Sequence, residues 1–299
     1  MTQIKPTVTG VQLKSIIDTL VATIEQKMET HEIYKEFMAL EQIKPLDDCH
    51  YGKAPENREK NRYRDILPYD ETRVPLGEEK GYINASYIRI AISGEELFYI
   101  ATQGPLAGTI DDFWQMVWEH QSNVIAMIAR EKEQGIVKCH HYWPDSPTHS
   151  LKLRHYDITL ECYQILKFFI IRVIKMVEKE TGKVHLVRHL QFTNWSDHST
   201  PQIPDYLVKF VRYMRKVHQT GPVVAHCSAG IGRTGVLLCV DSLLFAIEKD
   251  LSFNIKNIVT AMRKQRFGMI QTKEQYQFCY KVGLEVLQHI LFTNHRPSQ

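Results

Sequence analysis

"PVVAHCSAGIGRTG", residues Pro222 to Gly235, is the stretch that decides how this chain folds. Pro222-Val223-Val224-Ala225 is a short apolar run, the pattern of a strand buried on both faces. It runs straight into His226-Cys227, and five residues separate Cys227 from Arg233. From Val236 the sequence turns helical, with Leu237, Leu238, Val240, Leu243, Leu244 and Ile247 continuing an apolar face. A buried strand thus feeds, through a tight loop, the N-terminus of a helix. Gly230 and Gly232 let successive N–H groups along Ser228-Ala229-Gly230-Ile231-Gly232 turn inward as an anion-binding nest. The helix N-terminus adds unpaired donors and partial positive charge, and Arg233 adds a planar fork that fits two phosphate oxygens.

The same donors act on the thiol. A helix N-terminus and a nearby guanidinium favour the thiolate, so Cys227 is expected to serve as a nucleophile. One loop would then hold a phosphate dianion and aim sulfur at its phosphorus, which is catalysis through a phosphocysteine intermediate. Thr234 is placed to hydrogen-bond the sulfur and ease its departure. The competing reading is a buried structural cysteine before a helix, the usual fate of Cys in cores. Cys-x5-Arg alone would be a weak signal, whereas the full run from His226 to Gly235 is a strong one.

The bulk properties narrow the class. With 299 residues, 43% hydrophobic and 24% charged, the chain suits one large globular domain. A net charge of +3, evenly spread, gives no reason to expect nucleic acid or a membrane surface as partner. The greasiest run, Phe168 to Val177, is broken by Arg172 and Lys175, so no membrane span is expected. The N-terminus also lacks the apolar core of a signal peptide. Six cysteines form no CxxC pair and no zinc-spaced Cys/His run, so no metal or other cofactor is expected. They read as reduced thiols in a cytoplasmic or nuclear setting.

Residues 1–30 read as a helical extension, because Leu13, Ile16, Ile17, Leu20, Ile24 and Met28 recur at three- and four-residue spacing. That face is expected to dock on the domain or on a partner. Cys49 to Arg62 reads as a long, polar surface connection. Strands are expected at Tyr82–Ile88, Phe98–Ala101 and Asn123–Ala129. Further strands are expected within Leu151–Val177 and Lys183–Phe192, with a hairpin turn at Lys179-Glu180-Thr181-Gly182. Asp111–His120 reads as a helix, and helices dominate after Asp205. Without repeats or a low-complexity linker, residues 31–292 are expected to form one α/β domain, and 293–299 a short tail.

Other blocks join the cysteine loop: Lys60-Asn61-Arg62-Tyr63-Arg64-Asp65, Tyr82-Ile83-Asn84-Ala85, Tyr99 to Pro105, Phe113-Trp114, Lys138-Cys139 with Tyr142-Trp143-Pro144, and Gln271 to Tyr276. With them the chain resembles the tyrosine-specific protein phosphatases, above all the non-receptor branch, over nearly all of residues 31–292. The resemblance implies a single α/β domain with a highly twisted mixed β-sheet flanked by helices. It implies a monomer in the cytoplasm that hydrolyses phosphotyrosine in signalling proteins without a metal. It also implies that Tyr63 walls the pocket, which only phosphotyrosine is long enough to reach into, and that Asp65 accepts hydrogen bonds from the substrate backbone. Gln271 would orient the hydrolytic water, and Arg263 and Gly268 would line the far side of the pocket. Gln275 is divided between substrate contact and a capping box, Thr272-x-x-Gln275, that opens a last helix from Thr272 to Leu291. Glu133 is divided between bracing Arg233 and being a solvated charge in "REKEQ".

Phe192 to Pro201, "FTNWSDHSTP", is a polar loop around one tryptophan and one aspartate. Alone it reads as a surface turn. The resemblance makes it a lid over the substrate with Asp197 as general acid, a role worth roughly 10²–10⁴-fold. Where the family usually has Trp-Pro-Asp, this chain has Trp195-Ser196-Asp197. A serine frees φ and returns an N–H. Closure is therefore expected to cost about 0.4–1 kcal/mol more, slowing turnover a few-fold. Three alternatives stand beside this reading: a phosphotyrosine-binding module without turnover, a dual-specificity or lipid phosphatase, and a scaffold acting through the N-terminal helix.

Overall fold

In the computed structural model, which describes residues 10–43, 48–195, 199–201 and 203–293, the Val223–Ala225 run lies in the middle of an eight-stranded sheet. The strands are β1 (Ala85–Ile92), β2 (Glu95–Thr102), β3 (Val124–Met127), β4 (Lys132–Glu133) and β5 (Ile136–Val137). They continue as β6 (Leu151–Lys152), β7 (Tyr156–Ile165), β8 (Phe169–Glu178), β9 (Val184–Phe192) and β10 (Val223–His226). The helices are α1 (Gly10–Glu29), α2 (Glu32–Glu41), α3 (His50–Lys53) and α4 (Ile110–Glu119). After them come α5 (Pro204–Val217), α6 (Gly232–Glu248), α7 (Ile255–Gln265) and α8 (Lys273–Thr293).

The sheet order is β1-β2-β10-β3-β9-β8-β7-β6, and β4 pairs with β5 in a separate small hairpin. The inner strands β2, β10, β3 and β9 run parallel to one another, and every other neighbouring pair is antiparallel. This mixed sheet bears out the expected α/β class. All four residues of β10 are buried. Val223 and Ala225 face a core built with α5 to α8, while Val224 faces the opposite core with α4. Burial on both faces is why the run is continuously apolar and not alternating.

Turn chemistry sets the antiparallel arms. Ser93 and Gly94 join β1 to β2 with φ of 48° and 87°, the left-handed pair that a two-residue hairpin uses. Gly182, φ 70°, closes the β8–β9 hairpin where the sequence places a turn.

Some boundaries differ from expectation. Tyr82 and Ile83 are buried but precede the strand, which begins at Ala85 and runs to Ile92. Cys49–Arg62 is not a loose connection, since it folds into α3 and a short 3₁₀ turn over Pro55–Lys60. Its polar side chains bond inward: Asn57 Nδ2 donates to Tyr51 O at 2.8 Å, and Asn61 Nδ2 to Gly52 O at 2.9 Å. Composition cannot tell such groups from solvated ones. Along α1, Ile17 and Ile24 are buried against the α8 side of the core, but Ile16 is exposed. Glu36 on α2 secures that end, accepting from Lys27 Nζ at 2.7 Å, Tyr276 Oη at 2.9 Å and Tyr280 Oη at 2.6 Å.

Candidate active site

Cys227 is the first residue after β10, at the carboxyl end of the parallel strands, where open α/β sheets bind ligands. Its buried Sγ accepts a hydrogen bond from Thr234 Oγ1 at 3.2 Å, from the first turn of α6. The loop between them is held from outside by its carbonyls. Gly104 N donates to Ser228 O at 2.9 Å, and Arg266 donates to Ala229 O at 3.0 Å and Gly230 O at 3.1 Å. A planar trans peptide sets N–H opposite C=O. The N–H groups of Ala229, Gly230 and Ile231 therefore point away from Gly104 and Arg266. Gly230 has φ 76°, and a Cβ there would lie 2.2 Å from Thr102 O. Only glycine lets the loop lie this close to β2.

Arg233 is fully buried. Its Nη1 and Nη2 meet the two carboxylate oxygens of Glu133 on β4 at 2.8 and 3.0 Å, and Nη1 also donates to Trp195 O at 2.9 Å. Of the two readings of Glu133, the brace is the one its position fits. Trp195 is buried, and its Nε1 donates to Ser199 O at 2.8 Å. Ser196, Asp197 and His198 lie outside the described residues.

Tyr63 is brought to the loop from the other side. Ser228 Oγ donates to Lys138 O at 2.9 Å, so the 2.8 Å contact between Tyr63 Oη and Ser228 Oγ is donated by Tyr63. Arg62 anchors that segment, giving hydrogen bonds to Gly104 O at 3.1 Å and Pro105 O at 2.7 Å. Beside the loop, a cavity of about 350 Å³ is lined by Asp65, Ile231, Gly268 and Gln271 among others. Arg263 also lines it, but its guanidinium is engaged by Met269 O, Ile270 O and Glu41 at 2.6 to 2.9 Å.

Gln271 and Gln275 close over Gly232, where a Cβ would lie 2.9 Å from Gln271 Oε1 and 3.2 Å from Gln275 Oε1. The capping box forms: Gln275 N donates to Thr272 Oγ1 at 3.1 Å, and Gln275 Oε1 accepts from Thr272 N at 3.4 Å. It engages only the oxygen of the amide. Gln275 Nε2 is buried with no hydrogen-bond partner among the described residues, so capping leaves a donor available at the site.

Sequence reading assigns no role to Arg266, yet this fully buried guanidinium spans Asn84, Ser86 and the outer carbonyls of the cysteine loop. Burial lowers its pKa to about 10, still above neutral pH. Its neighbours "KQRFG" carry no burial signal. Its partners lie far away in sequence.

A family model described as protein-tyrosine phosphatase matches residues 57–285. Tyrosine-protein phosphatase non-receptor type 20 of Homo sapiens is 58% identical over 291 residues, covering 97% of this chain and 69% of that protein. Its counterpart of the same name in Rattus norvegicus is 56% identical over 294 residues, covering 98% and 70%. Tyrosine-protein phosphatase non-receptor type 13 of Mus musculus is 49% identical over 292 residues, covering 97% of this chain but 12% of that protein.

Proposed function

The chain belongs to the protein-tyrosine phosphatase family, and we propose that it removes phosphate from phosphotyrosine in proteins through a phosphocysteine on Cys227. In this reading the Cys227 sulfur attacks phosphorus, the phosphorus–phenoxide bond breaks, and Asp197 gives its proton to the leaving oxygen. A water oriented by Gln271 then attacks the phosphocysteine and loses its proton to the Asp197 carboxylate. Inorganic phosphate leaves and the sulfur is restored, with the Thr234 hydroxyl stabilising its negative charge. Arg233 and the N–H groups from Ser228 to Gly232 hold the phosphoryl oxygens, charge stabilisation that a pre-set site provides. Tyr63 walls the pocket, Asp65 fixes the peptide backbone, and Gln275 Nε2 supplies a further donor.

The observation that carries this assignment is the placement around Cys227: Thr234 Oγ1 3.2 Å from sulfur, with a buried, pre-oriented Arg233 six residues along the same loop. Residues 31–292 serve as the catalytic domain, 1–30 as a docked helical extension and 293–299 as a tail. Among the described residues no helix is long and apolar enough to cross a membrane. We take the setting to be the cytoplasm and the working form to be a monomer.

The test is a pH–rate profile on a phosphotyrosine peptide, for wild type and Asp197→Ala. A bell-shaped profile is expected for wild type, with Asp197→Ala losing roughly 10²–10⁴-fold in kcat and the alkaline limb. A phosphoserine peptide should not turn over. Binding without hydrolysis at any pH would replace this reading with that of a phosphotyrosine-capture module.

A further inference from the structure

A line of buried polar side chains runs from the antiparallel arm of the sheet to the carbonyl of Cys227. Tyr142 Oη lies 2.7 Å from His189 Nε2 on β9 and 2.7 Å from His226 Nε2 on β10. His226 Nδ1 lies 3.0 Å from Cys227 O. At the far end, Arg172 Nη1 on β8 lies 3.4 Å from His189 Nδ1. The three middle side chains are fully buried. Burial keeps both imidazoles neutral, taking His226 down to about 4 and His189 well below its ordinary value.

A neutral imidazole has one donor and one acceptor, and a phenol has one proton. The two ends therefore settle every proton between them. The Cys227 carbonyl can only accept, so His226 donates from Nδ1 and its Nε2 accepts from Tyr142. Tyr142 Oη in turn accepts from His189 Nε2–H, which leaves His189 Nδ1 bare to accept from Arg172. A guanidinium can only donate, so the far end demands the same direction. Arg172 is itself held in place, over the Trp143 ring at 4.5 Å and donating to Gln191 Oε1 at 2.9 Å. Without it the line can reverse, and a bare Nδ1 of His226 then faces the Cys227 carbonyl, an unfavourable pairing in the buried core.

We propose that Arg172 and His189 are positioning residues for the cysteine loop, fixing the direction of hydrogen bonding through Tyr142 and His226 so that an N–H is held against the Cys227 carbonyl. That donor holds the positive end of a dipole against the peptide carbonyl of Cys227 and so fixes the peptide from which the sulfur projects. The inference rests on Cys227 being the nucleophile. The other charged and titratable groups facing the line are Arg62, Arg233, His141, Cys139 and Glu131. None of them is altered in the test.

The full chain is compared with Arg172→Met, His189→Leu and His189→Gln. In wild type, ¹⁵N shifts should show His226 protonated on Nδ1 and His189 on Nε2. Arg172→Met and His189→Leu should slow Cys227 alkylation by iodoacetamide at pH 6 by about 2–10-fold. They should lower kcat by a similar factor with KM little changed. A glutamine at 189 can donate to Tyr142 and accept from Arg172, so His189→Gln should restore both rates relative to His189→Leu. If His189→Leu does not fold, Arg172→Met, at the half-buried end of the line, is read alone. His226 protonated on Nε2, or wild-type alkylation in folded Arg172→Met, overturns the proposal. Cys227→Ser separates the two assignments: turnover surviving in that variant removes the nucleophile itself, whereas unchanged alkylation removes only the relay.

Discussion

Glu133 and Arg233 form a two-point pair, oxygens to terminal nitrogens at 2.8 and 3.0 Å, with side-chain exposures of 8% and 0%. The pair leaves the guanidinium one fixed plane. Trp195 O on Nη1 ties that plane to the residue before Ser196. The proposed phosphate-binding fork and the Trp195 backbone are thus held through one side chain.

Removing the carboxylate takes away the two-point partner of a buried guanidinium. Glu133→Ala should destabilise the fold by about 3 kcal/mol or more, and should lower kcat/KM by roughly 10²-fold through misplacement of the fork. Urea unfolding together with peptide kinetics checks both. Wild-type kcat/KM in the folded variant would show that Glu133 does not set the plane of Arg233.

Gly230→Ala meets two obstacles at once. Its φ of 76° disfavours a side chain, and the added Cβ would collide with Thr102 O at 2.2 Å. Relief requires the loop to withdraw from β2, which moves the N–H groups proposed to hold phosphate. A loss of more than about 2 kcal/mol in stability is expected, with turnover close to background. An active, fully stable variant would mean that the loop tolerates displacement.

Ser196 stands where the family usually carries proline. Ser196→Pro should raise kcat a few-fold by restricting the open lid, corresponding to about 0.4–1 kcal/mol of closure. Steady-state kinetics at saturating peptide reads this directly. An unchanged or lower kcat removes the expectation that Ser196 slows turnover.

His226 and His189 make stability acid-sensitive. Burial lowers both, His226 from 6.5 to about 4 and His189 well below 6.5, with neighbouring Arg62, Arg233 and Arg172 acting in the same direction. Between pH 6.5 and 4 the unfolded chain binds protons that the folded chain does not. Stability is therefore fully present above pH 6.5 and falls as pH drops toward 4, by about 3 kcal/mol from His226 alone. Urea midpoints at pH 7.5, 6 and 5 should decline in that order. A flat series would mean that these imidazoles take up protons in the fold as readily as in the unfolded chain.

Much of this site was legible in one local string. A continuous apolar run, three glycines and a helix start lie within fourteen residues, Pro222 to Gly235. Strand burial, loop closure and helix initiation are all properties of neighbouring residues. So the strand–loop–helix unit, Cys227, Thr234 and Arg233 followed from the chain alone, and family blocks added Tyr63, Asp65 and Gln271. Tertiary structure decided what spans distance. Glu133 could be a solvated charge until the β4–β5 hairpin set it against Arg233, one hundred residues on. Arg266, Arg172 and His189 gave no local sign, because a polar residue's burial depends on which strands become neighbours. The Cys49–Arg62 segment misled for the same reason: polar side chains that bond their own backbone have the composition of a loop in water. Short-range sterics are written in sequence, whereas the partners of buried charges exist only once the sheet has ordered its strands.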